Sequence, residues 1–284
     1  MRKYIPWWAR IAAKLVLSRA PASYSLWQKL SIFRHGAMDR AGYACDVFEQ
    51  HFANSGLAGQ PFVCLELGPG DSLASALVAS AHGASHTWLI DVGPFASGDL
   101  ATYREVAAEL SRRGLSPPPL DDVRDLTSLL ARCRATYGTQ GIESLRRIPT
   151  ASVDFIWSHA VLEHVRRAEF TEYLKETRRV LRPGGRASHE IDLRDHLGGA
   201  LNNLRISSRV WEAEWMARSG FYTNRLSKPQ ILDAFAQAGF RVEILRTLSW
   251  DSLPTPVGKF ADEFRGDDPA VRMTRIFDIV ALPA

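Results

Sequence analysis

The chain has 284 residues, 46% of them hydrophobic and 23% charged, which suits one large α/β domain with extensions and a full core. Its 35 basic and 31 acidic residues leave a formal charge of +4, too mild a surplus to argue for nucleic acid. Cys45, Cys64 and Cys133 are far apart and form no C-x-x-C pair, so neither a disulfide framework nor a zinc site is expected, and a reducing, cytoplasmic setting is the default.

The chain opens M-R-K-Y-I-P-W-W-A-R-I-A-A-K. Arg10 and Lys14 interrupt what would be the apolar stretch of a signal peptide, so that reading is set aside. As a helix, Ile5, Trp8, Ala12, Leu15 and Val16 share one face, opposite Lys3, Arg10 and Lys14. Such a helix suits peripheral contact of residues 1–20 with the inner membrane face. It equally suits packing on its own domain, the commoner use of an amphipathic face. Residues 1–60 read as a mostly helical N-terminal extension. No segment is long and apolar enough to cross a bilayer.

Val63 to Leu67 is a short apolar run into Gly68, a buried strand entering a turn. A helix follows over Leu73 to Ala81, then a strand from His86 to Ile90 ending at Asp91. Leu100 to Arg112 and Leu126 to Arg134 read as helices, with a proline-rich loop between them. Val153 to Trp157 is the next strand. Phe170, Leu174, Thr177 and Leu181 recur at helical spacing until Pro183-Gly184-Gly185, and Arg186 to Leu193 is a strand. Ser227 and Gln230 form a capping box around Pro229, and Gly239 ends that helix. Strands at Arg241 to Leu245 and Arg275 to Leu282 complete the order. Strands alternating with helices imply a mostly parallel, Rossmann-like sheet with helices on both faces. Ligands in such sheets bind at the carboxyl ends of the strands.

The loop after the first strand is E-L-G-P-G-D-S (66–72). Gly68 and Gly70 let the backbone turn tightly and approach a ligand, and the next helix aims its N-terminus there. Asp91 stands where a carboxylate takes hydrogen bonds from a ribose diol. A nicotinamide site would want a third glycine where Leu73 stands, and no Lys-Ser/Thr pair makes a P-loop. Glu66 suits a cofactor carrying an amino group and a sulfonium rather than a pyrophosphate.

These residues resemble the first motif of class I S-adenosylmethionine-dependent methyltransferases, with Ser72 in place of the last glycine. S-V-D-F-I-W-S-H-A-V-L-E-H-V (152–165) is similar to their fourth strand and the helix after it, a form common among small-molecule members. R-R-V-L-R-P-G-G-R (178–186) and L-S-K-P-Q-I-L-D-A-F-A-Q-A-G-F-R-V (226–242) resemble their later elements. The resemblance implies a seven-stranded sheet with its last strand antiparallel, over residues 61–284, and S-adenosyl-L-methionine as cofactor. Asp71 in the glycine loop, Val92 beside Asp91, and Ser158 after the fourth strand join the cofactor set. Gly141, Ile142 and Glu143 are the candidates near adenine.

An acceptor hydroxyl would call for a general base. His159 follows the fourth strand, and on a helix it would share a face with Glu163. His189 and His196 lie in S-H-E-I-D-L-R-D-H (188–196), where alternation puts His189 and Ile191 on one side and Glu190 and Asp192 on the other. Residues 195–226 read as an inserted lid, with Asp192, Trp211, Tyr222, Asn224 and Arg225 as candidate substrate contacts; an ordinary cap with its own small core is the alternative. No metal is expected, because the cluster lacks a ligand spacing. The expected acceptor is a small molecule, glycan or lipid-linked compound, methylated at oxygen. RNA is disfavoured because no N/D-P-P-Y or Pro-Cys signature is present. A non-catalytic module that keeps the fold is the other reading.

Overall fold

The computed structural model describes residues 38–284, so the expected amphipathic helix and membrane contact of residues 1–20 lie outside the described residues. Among the described residues, seven strands form one sheet: β1 Phe62–Leu67, β2 Ala84–Ile90, β3 Ala135–Gly138, β4 Val153–His159, β5 Leu181–Asp192, β6 Phe240–Ser249 and β7 Thr274–Pro283. Their order is β3-β2-β1-β4-β5-β7-β6. The strands from β3 to β5 pair in parallel, and β7 runs antiparallel to both β5 and β6. This is the expected Rossmann-like sheet. Its strand order reverses beside β1, which places the ligand crevice at the carboxyl ends of β1 and β4.

Period-2 alternation separates two cores. Cys64, Phe155 and Trp157 face one layer with Phe48 and Phe52 of α1 (Ala41–Ala53), Leu77 of α2 (Ala74–Ala81), and Val106 and Leu110 of α3 (Leu100–Arg112). Leu65, Ile156 and Ile191 face the other, with Phe170 and Leu174 of α6 (Phe170–Val180) and Ile231 and Phe235 of α9 (Lys228–Gln237). Helices α4 (Leu126–Arg132) and α5 (Ile142–Arg146) flank β3. Helix α1 belongs to the domain core: Phe48 meets Trp157 edge to face at 5.8 Å between ring centroids.

Several elements differ from the sequence reading. β3 has only four residues, A-T-Y-G, too few for a periodic signal; its pairing with β2 from Thr87↔Ala135 to Ile90↔Gly138 defines it. β5 begins at Leu181, because Val153 pairs with Leu181 before the register shifts at Asp154. The segment after β4 is a 3₁₀ turn, Leu162–His164, so His159 and Glu163 do not share a helix face. Helix α9 has the expected capping box, with Ser227 N–H donating to Gln230 Oε1 at 2.9 Å.

The insertion at 195–226 carries α7 (Ser208–Trp211) and α8 (Glu214–Ala217) around Leu197, Trp211, Met216, Phe221 and Tyr222. It also joins the segment Leu253 to Asp268, with α10 (Asp262–Arg265), through Leu201, Leu204, Phe260 and Phe264. No helix among the described residues is long and apolar enough to cross a membrane.

Candidate cofactor and active site

The glycine loop turns through two left-handed residues, Gly68 at φ +70° and Gly70 at φ +67°. Gly68 N–H donates to Ile90 O at 2.8 Å, tying the loop to the end of β2. A Cβ on Gly68 would lie 2.6 Å from both γ-carbons of Val161. The segment after β4 therefore lies directly against the glycine loop.

Asp91 is buried at the end of β2. Its carboxylate accepts the N–H of Gly70 at 2.9 Å and of Val92 at 2.7 Å. A carboxylate has about four acceptor positions, so hydroxyl donors can still be received. The backbone of Asp91 pairs with Gly138 and Gly141, at 2.8 Å each, which brings the loop after β3 to the same edge. Val92, beside it, is 76% exposed, an uncovered apolar side chain at a polar cleft. The backbone oxygen of Asp71 accepts from Ser97 at 2.9 Å and anchors the rim.

Glu66 is 3% exposed and accepts a hydrogen bond from Ser75 Oγ of α2. Burial lifts its pKa to about 8; the Ser75 hydrogen bond pulls it back and the Asp91 charge adds to the rise. A cation nearby would favour its ionised form. Glu143 pairs with Arg146 at 2.6 Å and is largely exposed. Ser158 and His189 form a buried couple, Oγ to Nδ1 2.8 Å.

The three histidines named from the sequence go to three different places. His189 has zero exposure and packs on Phe235 at 5.7 Å. Burial depresses its pKa to about 3, and its Nε2 has no hydrogen-bond partner. It packs on the α9 side of the sheet. His196 is exposed and stacks on His164, Nε2 to Nε2 3.1 Å, while His164 Nδ1 meets Tyr222 O at 2.7 Å. His159 ends β4 and points toward α1. Its Nε2 is 3.2 Å from the Tyr43 hydroxyl and 3.3 Å from Glu190 Oε1, and its Nδ1 is 3.4 Å from His51 Nε2.

These residues are engaged by the lid and by the segments beside it. Trp211 is fully buried, donates to Thr223 O at 2.7 Å and stacks on Tyr222. Tyr222 donates its hydroxyl to Glu212 at 2.7 Å. The Asn224 amide donates to Leu162 O and Val165 O. Arg225 donates to Ile206 O at 2.7 Å and lies over the Trp211 and Phe264 rings. Asp192 is clamped by Arg194 through both oxygens. These side chains are held by neighbouring protein groups, and the insertion has a small core of its own around Trp211 and Phe221.

Tyr43, His51 and Glu190 were not among the sequence-named site residues. Tyr43 and His51 precede every motif, and their partners lie 116 and 108 residues on. Glu190 had a local signal in the charged end of β5. A shallow groove of about 710 Å³ along α3, lined by Arg104, Ser111 and Pro117 to Pro119, shares no residue with these loops.

Residues 65–188 match a family model described as a methyltransferase domain. This stretch of the chain carries a methyltransferase domain. The YcgJ protein of Bacillus subtilis is similar at 14% identity over 83% of this chain and 97% of its own, with a TM-score of 0.46. A Haemonchus contortus phosphoethanolamine N-methyltransferase 2, solved with S-adenosyl-L-methionine, is similar at 14% identity over 84% of this chain and 53% of its own, with a TM-score of 0.47. No curated protein matches in sequence.

The residues present fit S-adenosylmethionine, the cofactor that the sequence resemblance implies. Asp91 retains acceptor capacity for hydroxyls, exposed Val92 offers an apolar surface to a ring, and Glu66 lies beneath the loop as a carboxyl that a cation would ionise. Bound there, the cofactor supplies a methyl group activated by a sulfonium.

Proposed function

We propose that this methyltransferase methylates a hydroxyl of a small-molecule or glycan acceptor, and that the His159–Glu190 pair receives the hydroxyl proton. The observation that carries this reading is the position of His159. It stands two residues before Val161, the side chain pressed on Gly68, and within hydrogen-bond reach of Tyr43 and Glu190. Alignment supplies most of the rate in such a displacement. A poised proton acceptor adds roughly 10²–10⁴-fold when the nucleophile is a hydroxyl. A thiolate needs no such partner, and a neutral amine attacks before it loses its proton, so an acid–base pair beside the cofactor loop favours oxygen.

The test is transfer of labelled methyl from S-adenosylmethionine to a panel of alcohols, phenols, sugars and amines. Transfer to hydroxyl acceptors, reduced at least tenfold in both His159→Gln and Glu190→Gln, is the expected result. Transfer confined to amines, indifferent to both substitutions, would sink the reading.

A further inference from the structure

A part-buried hydrogen-bond chain runs from Asn54, at the end of α1, to His159. Asn54 Nδ2 donates to Ser188 Oγ at 3.1 Å, Ser188 Oγ is 2.8 Å from His51 Nδ1, and His51 Nε2 is 3.4 Å from His159 Nδ1. His159 Nε2 then faces Glu190 Oε1 at 3.3 Å. His51 is 2% exposed, and burial, with His159 and His189 nearby, pushes its pKa well below the usual histidine value. It is therefore neutral and carries one proton.

The chain has one direction in which every donor finds an acceptor. The Asn54 amide N–H can only donate, so Ser188 accepts from it and has its own proton for His51 Nδ1. His51 then carries its proton on Nε2, aimed at His159 Nδ1. A neutral His159 that accepts at Nδ1 keeps its proton on Nε2, aimed at Glu190. The opposite direction would leave the Ser188 proton without a partner among these groups, a cost of about 1–3 kcal/mol for a buried donor.

We infer that Glu190 is the group that takes the acceptor's proton, and that His159 is a positioning residue whose tautomer is set from α1 by the Asn54–Ser188–His51 chain. This rests on the oxygen-methylation reading and names the proton's destination within it. In the step, the acceptor O–H bond breaks and its proton joins the Glu190 carboxylate. The freed electron pair bonds the methyl carbon as its bond to sulfur breaks. The carboxylate's negative charge and the sulfonium's positive charge are lost together.

The groups around Glu190 suit this role. Arg246 of β6 holds Glu190 Oε2 at 2.9 Å and also bonds Asp278 of β7. Tyr43 of α1, His159 of β4, Asp192 of β5, Arg194 just beyond it and Glu163 of the 3₁₀ turn are the other charged and titratable groups that act with Glu190. Burial raises the Glu190 pKa from its ordinary value, His159 and Arg246 lower it, and Asp278 and Asp192 raise it. A carboxylate tuned upward is a better base near neutral pH.

Nitrogen-15 NMR of histidine-labelled full-length protein at pH 7.5 reads which ring nitrogen of His51 and His159 bears the proton, whatever the acceptor. Protons on Nε2 of both rings are expected; a proton on Nδ1 of either ring overturns the inference. Kinetically, Glu190→Gln is expected to lower kcat about 10²–10⁴-fold, with KM changed little and the acid limb of the pH profile removed. His51→Gln should lower kcat less and scramble the His159 tautomer, with Ser188→Ala as the substitute if it fails to fold. Full activity in Glu190→Gln with activity lost in His159→Gln would place the base on His159 and overturn the inference alone. Wild-type rates in both would overturn the oxygen reading as well.

Discussion

Val161 occupies the space that a side chain at position 68 would need, with both of its γ-carbons 2.6 Å from a Cβ built on Gly68. The pair closes the cofactor loop against the segment after β4. Gly68→Ala adds a methyl in a left-handed backbone and in a filled space. We expect a loss of about 1–3 kcal/mol in stability and a loss of S-adenosylmethionine binding by calorimetry. Adding Val161→Ala should recover the steric part and leave the backbone part.

Asp91 joins three loops through hydrogen bonds to Gly70 and Val92 and its backbone pairs with Gly138 and Gly141. Asp91→Ala removes the acceptor for two N–H groups. Hydrogen bonds to a charged group contribute about 1.5–3 kcal/mol each, so cofactor affinity should fall by at least tenfold. Chemical denaturation and titration together separate the stability loss from the affinity loss.

Glu66 and His189 give opposite pH dependences. Glu66 is lifted to about 8 in the fold. The folded chain therefore holds a proton that the unfolded chain has released, and stability falls as pH rises from about 4.5 to 8. Glu66→Gln should flatten that slope, raise stability at pH 8 and weaken binding of the cationic cofactor. His189 is depressed to about 3, so the unfolded chain gains a proton first and stability falls as pH drops from about 6.5 toward 3, by up to about 1.4 kcal/mol per pH unit. His189→Leu should remove this part of the acid sensitivity. Urea melts of the two variants at pH 5, 6.5 and 8 check both signs.

Arg225 is the bolt of the cap. Its guanidinium lies between the rings of Trp211 and Phe264 and donates to Ile206 and Ser208. Arg225→Ala leaves these part-buried acceptors without this donor and the rings unfilled. A loss of about 2–4 kcal/mol is expected, from the packing and the hydrogen bonds together. Hydrogen exchange should quicken across 195–226 and Leu253 to Asp268, while S-adenosylmethionine binding changes less than twofold.

What the sequence determined by itself was local. Tight turns demand glycine where φ is positive, so Gly68 and Gly70 were legible. An acid closing the second strand marked Asp91, the alternation along β5 sorted His189 from Glu190, and Ser227 with Gln230 announced the start of α9. Each signal arises from neighbours within a few residues, where backbone geometry constrains which side chain can stand. The tertiary structure decided everything that depends on distant surfaces meeting. β3 exists because β2 offers it a paired edge, and the two insertions share a core through Phe264 and Leu204. The cap's aromatic residues read equally well as a binding surface or a core until packing turned Trp211 inward. His51 and Ser188 are 137 residues apart, and no periodicity relates them. Only the packing of α1 on β4 and β5 brings the ring to the hydroxyl, because burial of Phe48 and Phe52 sets where that helix lies.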